Sequence, residues 1–296
     1  MPNPTKPTPP EPAAGQGGRP VLGILAGGGP LPGQVAEAAR EAGREVFILG
    51  FEGFAEPDII AAYPHAYARL GAAGTILAQL RARNVSDLVL IGPVRRPSLL
   101  ALRPDAEGAR ILARIGRAAF LGDDGFLAAI VRVLGEEGFR VLGAHEIARD
   151  TLAGPGCLTR APPDAAANAD IARGVAVLHA LGRVDVGQAC VVQQGIVLAL
   201  EAIEGTDAML ARAATLARPG PGGVLVKLVK PGQDRRADLP TLGPRTITAA
   251  HDAGLRGIAF EANGTILLDR PTMIDAANRA GLFLLGIDPT DKDWTP

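Results

Sequence analysis

The sequence predicts an α/β fold: an N-terminal Rossmann-like open parallel sheet, followed by a second, C-terminal α/β domain with a mixed sheet. Short apolar runs alternate with amphipathic stretches through the first half, which is typical of parallel strands covered by helices on both faces. A stretch rich in glycine and proline interrupts this pattern at residues 151–163. Beyond it, two apolar runs around a Gln-Gln-Gly turn indicate an antiparallel hairpin.

In the first half, apolar runs predict four strands, and the stretches between and after them predict four helices. The strands are expected at residues 21–26, 45–49, 87–92 and 140–144. The helices are expected at residues 34–42, 74–83, 105–120 and 124–137. The segment GGGPLPG separates the first strand from the first helix.

The second half mixes antiparallel and βα patterns. Strands are expected at residues 189–192, 196–202, 223–229 and 282–287, and two short ones, 258–260 and 265–268, flank an Asn263-Gly264 turn. Helices are expected at residues 165–181, 206–217, 246–253 and 273–280. These patterns divide the chain into a disordered Pro/Gly-rich leader (1–19), a Rossmann-like domain (20–150), a linker (151–163) and a C-terminal α/β domain (164–296).

Composition excludes several classes of protein. The formal net charge of −1 gives no field that would attract nucleic acid. Cys157 and Cys190 lie far apart, so neither a disulfide framework nor a structural zinc site is expected. The first residues carry no apolar core of a signal peptide, and no run approaches the roughly 20 apolar residues that span a bilayer. We therefore expect a cytoplasmic protein.

Two loops at strand ends are candidates for phosphate binding. Glycines let a backbone approach a phosphate closely, and a helix N-terminus offers N–H groups. The first loop contains Gly27, Gly28 and Gly29, and the second contains Gly92, Pro93 and Val94, with Arg95 and Arg96 after them. Ligands of open α/β sheets bind beyond the carboxyl ends of the strands, so both loops should face one crevice.

The same glycine loop leaves a second reading open, a nicotinamide-dinucleotide site. Gly27 and Gly29 fit the first half of that fingerprint, and Glu52 after the second strand can imitate its ribose-binding acid. Pro32 occupies the position of the third glycine, so the match is partial.

Acidic residues collect at two helix starts. Asp123 and Asp124 precede an apolar helix, where they suit a divalent cation, a sugar hydroxyl or a helix cap. Glu201, Thr206 and Asp207 lie at a strand-to-helix junction. A cap accounts for only one residue at each place, so the remaining carboxylates are candidate ligands.

Lys227 stands out because it interrupts the apolar strand run VLVKLVK in a chain that has only four lysines. A buried, unpaired ammonium costs several kcal/mol, and a phosphate would satisfy it. Asp238 follows in DRRADLP, where an aspartate shortly before proline is also typical of a turn.

In this order, these segments resemble the LpxI family of UDP-2,3-diacylglucosamine pyrophosphatases. The likeness extends from about Val21 to Asp288 and is carried by LGILAGGGPLP, IGPVRRP, GDDGFL, EGFRVLGAHEI, EGTDAML, VKLVKPGQDRRADLPTLGPRTI and LFLLGIDP. The resemblance implies two α/β domains that close on one lipid-nucleotide substrate. It also implies Mg²⁺-dependent attack of water on the α-phosphorus, with UMP and 2,3-diacylglucosamine 1-phosphate as products.

By the family pattern, Asp238 falls on the essential catalytic aspartate, and we expect Asp238 and Asp207 to hold Mg²⁺. The substrate contacts expected from the resemblance and from the segments above are Gly27, Gly28, Gly29, Gly92, Pro93, Val94, Asp123, Asp124, Gln188, Glu201, Thr206, Asp207, Met209 and Lys227. Two other functions stay open, an NAD(P)-dependent oxidoreductase and a non-catalytic nucleotide-sugar binding protein. We further expect a homodimer, transient contact with the inner-membrane surface and no nucleic-acid partner.

Overall fold

A computed structural model describes residues 20–94, 102–116 and 123–290. The leader and both arginines of the RRP segment lie outside this range. The first half contains β1 (Val21–Ala26), α1 (Leu31–Glu41), β2 (Val46–Phe51), α2 (Pro57–Ile60), β3 (His65–Ala68), α3 (Ala73–Ala82), β4 (Val85–Ile91), α4 (Ala106–Ile115), α5 (Asp123–Glu136), β5 (Arg140–Leu142) and α6 (Ala144–Ile147).

A short 3₁₀ turn (Arg149–Thr151) leads into the second half. Its elements are β6 (Gly156–Cys157), α7 (Ala165–Gly182), β7 (Ala189–Gln193), β8 (Ile196–Leu200), α8 (Thr206–Ala214), β9 (Val224–Lys227), β10 (Thr241–Leu242), α9 (Pro244–Asp252), β11 (Gly257–Glu261), β12 (Ile266–Leu267), α10 (Arg270–Ala280) and β13 (Phe283–Ile287). Among the described residues, no helix is both long and apolar enough to cross a bilayer.

The first sheet is parallel throughout and has the strand order β3-β2-β1-β4-β5. Its central strands are buried on both faces because helices cover each side, and separate apolar clusters fill the two layers. The chain runs outward from β1 in both directions, which places a crevice between the carboxyl ends of β1 and β4. The predicted Rossmann-like parallel sheet is confirmed.

The second sheet is mixed, with the order β6-β13-β11-β9-β7-β8. Strands β9, β11 and β13 are parallel, whereas β7 and β8 form the predicted antiparallel hairpin. The carboxyl ends of β8 and β9 and the start of β7 therefore meet at one edge of the sheet. The predicted mixed α/β architecture of the second half is confirmed.

Several elements differ from the sequence prediction. Strand β3 was not expected because it is an edge strand with exposed side chains and no continuous apolar run. Helix α1 begins at Leu31 rather than residue 34, since a proline in the first turn needs no N–H partner. The Asn263-Gly264 turn forms, but β11 already pairs with β9 and β13 on both sides. Strand β12 therefore pairs with β10 instead.

The two halves share an apolar cluster. Side chains at the ends of the first sheet, including Ile91, pack with Leu239, Ile266 and Leu268 of the second half. A bridge between Leu152 and Ile266 joins the chain just after the first half to β12. This contact places the segment that carries Asp238 beside the carboxyl end of β4.

A buried ion cluster links three segments of the first half. Asp87 is 2% exposed and accepts hydrogen bonds from Arg44 at 2.6 Å and from Arg140 at 2.8 and 2.7 Å. Burial alone would raise the pKa of Asp87, but the bonds from Arg140 and Arg44 outweigh it and hold the pKa below its usual range. The cluster fixes the start of β5 and the loop before β2 against β4.

We predict that Asp87→Asn lowers the free energy of unfolding by about 3 kcal/mol near neutral pH, because Arg44 is left buried without its counter-ion. Denaturant titration measures the loss. Since the folded-state pKa of Asp87 is depressed, the stabilisation is complete above the unfolded pKa of about 3.9 and disappears as pH falls through the lower folded pKa.

The matched control is Glu37→Gln, which removes a half-exposed pair with Arg40 and should change stability by less than about 0.5 kcal/mol. Equal effects of the two substitutions at neutral pH would contradict this account of the Asp87 cluster.

Candidate active site

Lys227 is the last residue of β9, and its side chain points into the protein at the edge where β7, β8 and β9 meet. The residue is only 5% exposed. Its ammonium donates hydrogen bonds to Thr206 Oγ1 at 2.9 Å and to the Thr241 carbonyl at 3.1 Å. Both acceptors are neutral, so these bonds satisfy donors of the ammonium without balancing its charge.

Thr206 connects the lysine to a buried carboxylate. Its hydroxyl donates to Glu201 Oε1 at 2.6 Å, while the Gln188 backbone N–H donates to Glu201 Oε2 at 3.3 Å. Glu201 is 6% exposed. The lysine, the threonine and the glutamate thus form one hydrogen-bonded chain across the ends of β8 and β9, with Thr206 as the first residue of α8.

The electrostatics of Lys227 are those of a cation that lacks a partner in contact. Burial lowers the pKa of Lys227, and the surrounding carboxylates of Glu201, Asp207 and Asp238 oppose that shift. Among the described residues no carboxylate lies within ion-pair distance of Nζ. A phosphate at this place would supply the missing negative charge.

Gln188 adds an unsatisfied acceptor to the same edge. Its Oε1 is buried and has no hydrogen-bond partner among the described residues, although its backbone bonds to Glu201 and Leu228 are complete. A buried carbonyl of this kind normally has a partner. A ligand N–H or hydroxyl would satisfy it.

Asp238 is positioned by a tight turn between β9 and β10. Its N–H donates to the Asp234 carbonyl at 3.0 Å, and its Oδ2 accepts a hydrogen bond from Gln233 Nε2 at 2.5 Å. The carboxylate is partly buried. It borders a small cavity between the two halves, whose walls are Leu90, Ile91, Ala144, Arg235, Arg236, Ala237, Asp238, Leu239 and Ile266.

The two glycine loops lie against each other, as predicted, at the ends of β1 and β4. Gly27 donates to the Ile91 carbonyl at 2.8 Å and Gly28 to the Pro93 carbonyl at 3.0 Å. The third N–H, of Gly29, donates to Glu56 Oε1 at 3.0 Å. The backbone N–H groups of all three glycines therefore have protein partners. Substrate contact by the loop, including Gly92 and Val94, stays a prediction.

The remaining candidate site residues differ in how far their side chains are buried. Asp207 is more than half exposed and pairs with Arg245 at 3.0 Å. Met209 is completely buried in the apolar core of the second half, and its substrate contact stays a prediction. Asp123 and Asp124 are the first residues of α5, but their side chains lie outside the description.

Two residues near Asp238 were not expected from the sequence. Gln233 is the hydrogen-bond donor to Asp238, and the quoted motif contained it without giving it a role. His145 lies in α6, beside the cavity wall at Ala144, and its buried Nδ1 has no hydrogen-bond partner in the described part of the chain. Burial lowers the pKa of His145; Glu146 opposes this shift and Arg235 adds to it.

Magnesium binding stays a prediction. The described residues include no group of three histidine, cysteine or acidic side chains around one point. Mg²⁺, however, is commonly held by one or two carboxylates together with substrate phosphates and water. Asp238 and Asp207 offer such carboxylates, and both lie close enough to Lys227 to influence its pKa.

Comparisons with known proteins match both halves of the chain. The LpxI N-terminal domain matches residues 21–151 and the LpxI C-terminal domain matches residues 154–285. The UDP-2,3-diacylglucosamine pyrophosphatase LpxI of Caulobacter vibrioides is 41% identical over 277 residues, which cover 92% of this chain and 99% of that protein.

We predict that Gly27→Ala separates the two glycine loops and lowers the free energy of unfolding by about 2 kcal/mol. A Cβ at Gly27 would lie 2.4 Å from the Gly92 carbonyl oxygen, which is backbone and cannot rotate away. Denaturant titration measures the loss.

Gly28→Ala is the matched control, since its Cβ would lie 3.1 Å from the nearest atom, the Phe54 carbonyl oxygen, and needs only a small adjustment. The close approach of the loops would be refuted by two alanine variants of equal stability.

Proposed function

The chain belongs to the LpxI family, and we propose on that basis that it hydrolyses UDP-2,3-diacylglucosamine to UMP and 2,3-diacylglucosamine 1-phosphate. The match includes both halves and nearly the whole of a pyrophosphatase that carries this substrate in its name. The observation that supports it most directly is the buried ammonium of Lys227, which has hydrogen bonds but no contacting anion from the residues that the structure describes. A nicotinamide-dependent reaction has no comparable support. The third glycine of the dinucleotide fingerprint is replaced by Pro32, which lies in the first turn of α1.

Hydrolysis of a diphosphate requires positive charge against the phosphates and a water aligned with the leaving oxygen. Lys227 supplies a fixed ammonium, held by Thr206 and the Thr241 carbonyl so that it need not reorganise during the reaction. Glu201 keeps Thr206 oriented as an acceptor toward the lysine, because the threonine hydroxyl proton is directed at the carboxylate.

Asp238 is the group we propose to orient the attacking water at the α-phosphorus and to accept its proton. One carboxylate oxygen is held by Gln233, while the other has no hydrogen-bond partner among the described residues. A carboxylate in this state can accept a hydrogen bond from water. Gln188 Oε1, as a buried acceptor, suits an N–H or hydroxyl of the nucleotide.

We propose Mg²⁺ as the cofactor, with Asp238 and Asp207 as its protein ligands. When bound, the ion would offset the charge of the diphosphate and acidify the attacking water. Asp207 can turn toward such an ion because its present partner, Arg245, is itself 91% exposed and forms a solvated pair of little energetic weight.

We predict that the wild-type protein releases UMP from UDP-2,3-diacylglucosamine in the presence of Mg²⁺, and that chelation or Asp238→Asn abolishes most of this activity. The amide is near in shape to the carboxylate but cannot accept a proton, so kcat should fall by a factor on the order of 10³. Chromatography of the nucleotide product measures the rate. In ¹⁸O-labelled water, the label is expected in UMP.

Asp275→Asn serves as the control, since Asp275 is an exposed residue of α10 outside the proposed site, and it should keep the wild-type rate. An Asp238→Asn protein with wild-type turnover would remove the proposed mechanism. Tight binding of the substrate by the wild-type protein without UMP release would instead establish a non-catalytic binding protein.

We propose that an apolar rim, defined as Val184, Val186 and Ile203, makes the transient contact with the membrane surface that a lipid substrate requires. These side chains are 67%, 40% and 104% exposed. The two loops that carry them touch, since Gly187 leaves no room for a Cβ against the Glu201 carbonyl. They continue directly into Gln188 and Glu201, so the rim borders the site.

Ile203→Ser is predicted to weaken binding to vesicles of phosphatidylglycerol and phosphatidylethanolamine several-fold, because it removes the most exposed apolar side chain of the rim. The rate on detergent-dispersed substrate should not change. Vesicle co-sedimentation measures the binding.

Leu216→Ser is the matched control, since Leu216 is 46% exposed beyond the opposite end of α8. Equal losses from both variants, or no loss from Ile203→Ser, would contradict the assignment of the rim.

The expected homodimer stays a prediction.

A further inference from the structure

Gln233 is a buried glutamine whose side chain contacts the proposed catalytic carboxylate. It is 7% exposed. Its Oε1 accepts a hydrogen bond from the Lys230 backbone N–H at 3.0 Å, and its Nε2 donates to Asp238 Oδ2 at 2.5 Å. The backbone N–H of Lys230 can only donate, so the side-chain atom that it contacts must be the amide oxygen. The NH₂ group of the same amide therefore faces the carboxylate.

The segment that holds Gln233 is anchored at several points. Lys230, whose side chain is 11% exposed, pairs with Asp185 at 2.6 Å on the loop before β7. The Gln233 backbone N–H donates to the Lys230 carbonyl at 3.2 Å, which closes a turn. Farther along, Arg235 donates to the Asn263 carbonyl next to β11. The amide therefore has a fixed position relative to the end of the second sheet.

The contact makes the two oxygens of Asp238 unequal. Oδ2 is occupied by the amide, whereas Oδ1 has no hydrogen-bond partner among the described residues. We propose that Gln233 is a positioning residue: it holds Oδ2, and so directs Oδ1 toward the attacking water or a shared cation. This inference rests on the proposed function and adds to it a residue that acts through Asp238.

A neutral amide is well suited to this task. It donates a hydrogen bond to a carboxylate without placing a cation beside it. A lysine or arginine at the same place would form an ion pair with the carboxylate instead. Residue 233 thus fixes geometry while leaving the charge near the diphosphate to Lys227.

The chain contains a matched control in Gln193. This glutamine is 2% exposed, and its side chain bonds only backbone groups: Nε2 donates to the carbonyls of Arg218 and Pro221, and Oε1 accepts from the Arg218 N–H. Replacing it removes a buried amide of the same size that does not touch Asp238. Gln193 therefore measures the effect of losing such an amide on the fold alone.

The experiment compares Gln233→Met, Gln233→Glu and Gln193→Met in the full-length protein, with UDP-2,3-diacylglucosamine and Mg²⁺. For Gln233→Met we expect kcat to fall by a factor on the order of 10² with KM within about 3-fold, because a misplaced carboxylate impairs the chemical step. For Gln233→Glu, kcat should fall by at least the same factor, because the new carboxylate repels Asp238 although the side chain keeps nearly the same shape. Gln193→Met should lose stability and keep kcat.

Thermal unfolding followed by circular dichroism is recorded for each variant, and Gln233→Glu provides the near-isosteric test if the methionine variant does not fold. A folded Gln233→Glu or Gln233→Met protein with wild-type kcat would overturn the positioning role. If Asp238→Asn is inactive at the same time, only this inference fails. If Asp238→Asn is active, the proposed function fails first, so the two failures are distinguishable.

Discussion

The buried ammonium of Lys227 is the constraint on which the site depends. A charge that is 5% exposed costs several kcal/mol unless an opposite charge approaches it. The protein supplies neutral acceptors in contact, Thr206 and the Thr241 carbonyl, and keeps Glu201 one hydrogen bond farther away. The arrangement leaves the cation oriented but only partly compensated. In the proposed function, a diphosphate supplies the missing negative charge.

The ammonium of Lys227 and the carboxylate of Asp238 come from the two ends of the connection between β9 and β10, and the fold brings them near each other. Strand β9 ends at Lys227, and the chain then makes the anchored turn that presents Asp238 before entering β10. The same turn packs against Leu90 and Ile91 at the carboxyl end of β4. The second half thus carries Lys227 and Asp238, while the first half closes the other side of the small cavity around Asp238.

Much of this architecture could be predicted from residue patterns because its central strands are buried on both faces. Runs such as VLGILA are typical of buried parallel strands, and Lys227, which interrupts VLVKLVK, had to meet an anion or reach solvent. Two edge elements could not be predicted: β3 is half exposed, and β10 is only two residues long. Strand β12 was expected, but its pairing with β10 was not. Their positions depend on which sheet edges remain open after the core has formed.

For the candidate site, the sequence indicated candidate residues but not how they are bonded. Gln233 contacts Asp238 only because the turn folds back through Lys230, and no periodicity reports such a turn. The backbone N–H groups of Gly27 and Gly29 donate to the carbonyl of Ile91 and the carboxylate of Glu56. These contacts join segments far apart in the chain, so local patterns contain no signal for them.

A crystal structure of the Asp238→Ala protein with UDP-2,3-diacylglucosamine and Mg²⁺ tests the central claim most directly. It should place a diphosphate oxygen about 3 Å from Lys227 Nζ, with the α-phosphorus facing the position of the missing carboxylate. A diphosphate bound elsewhere, with Lys227 still bonded only to Thr206 and the Thr241 carbonyl, would contradict the account.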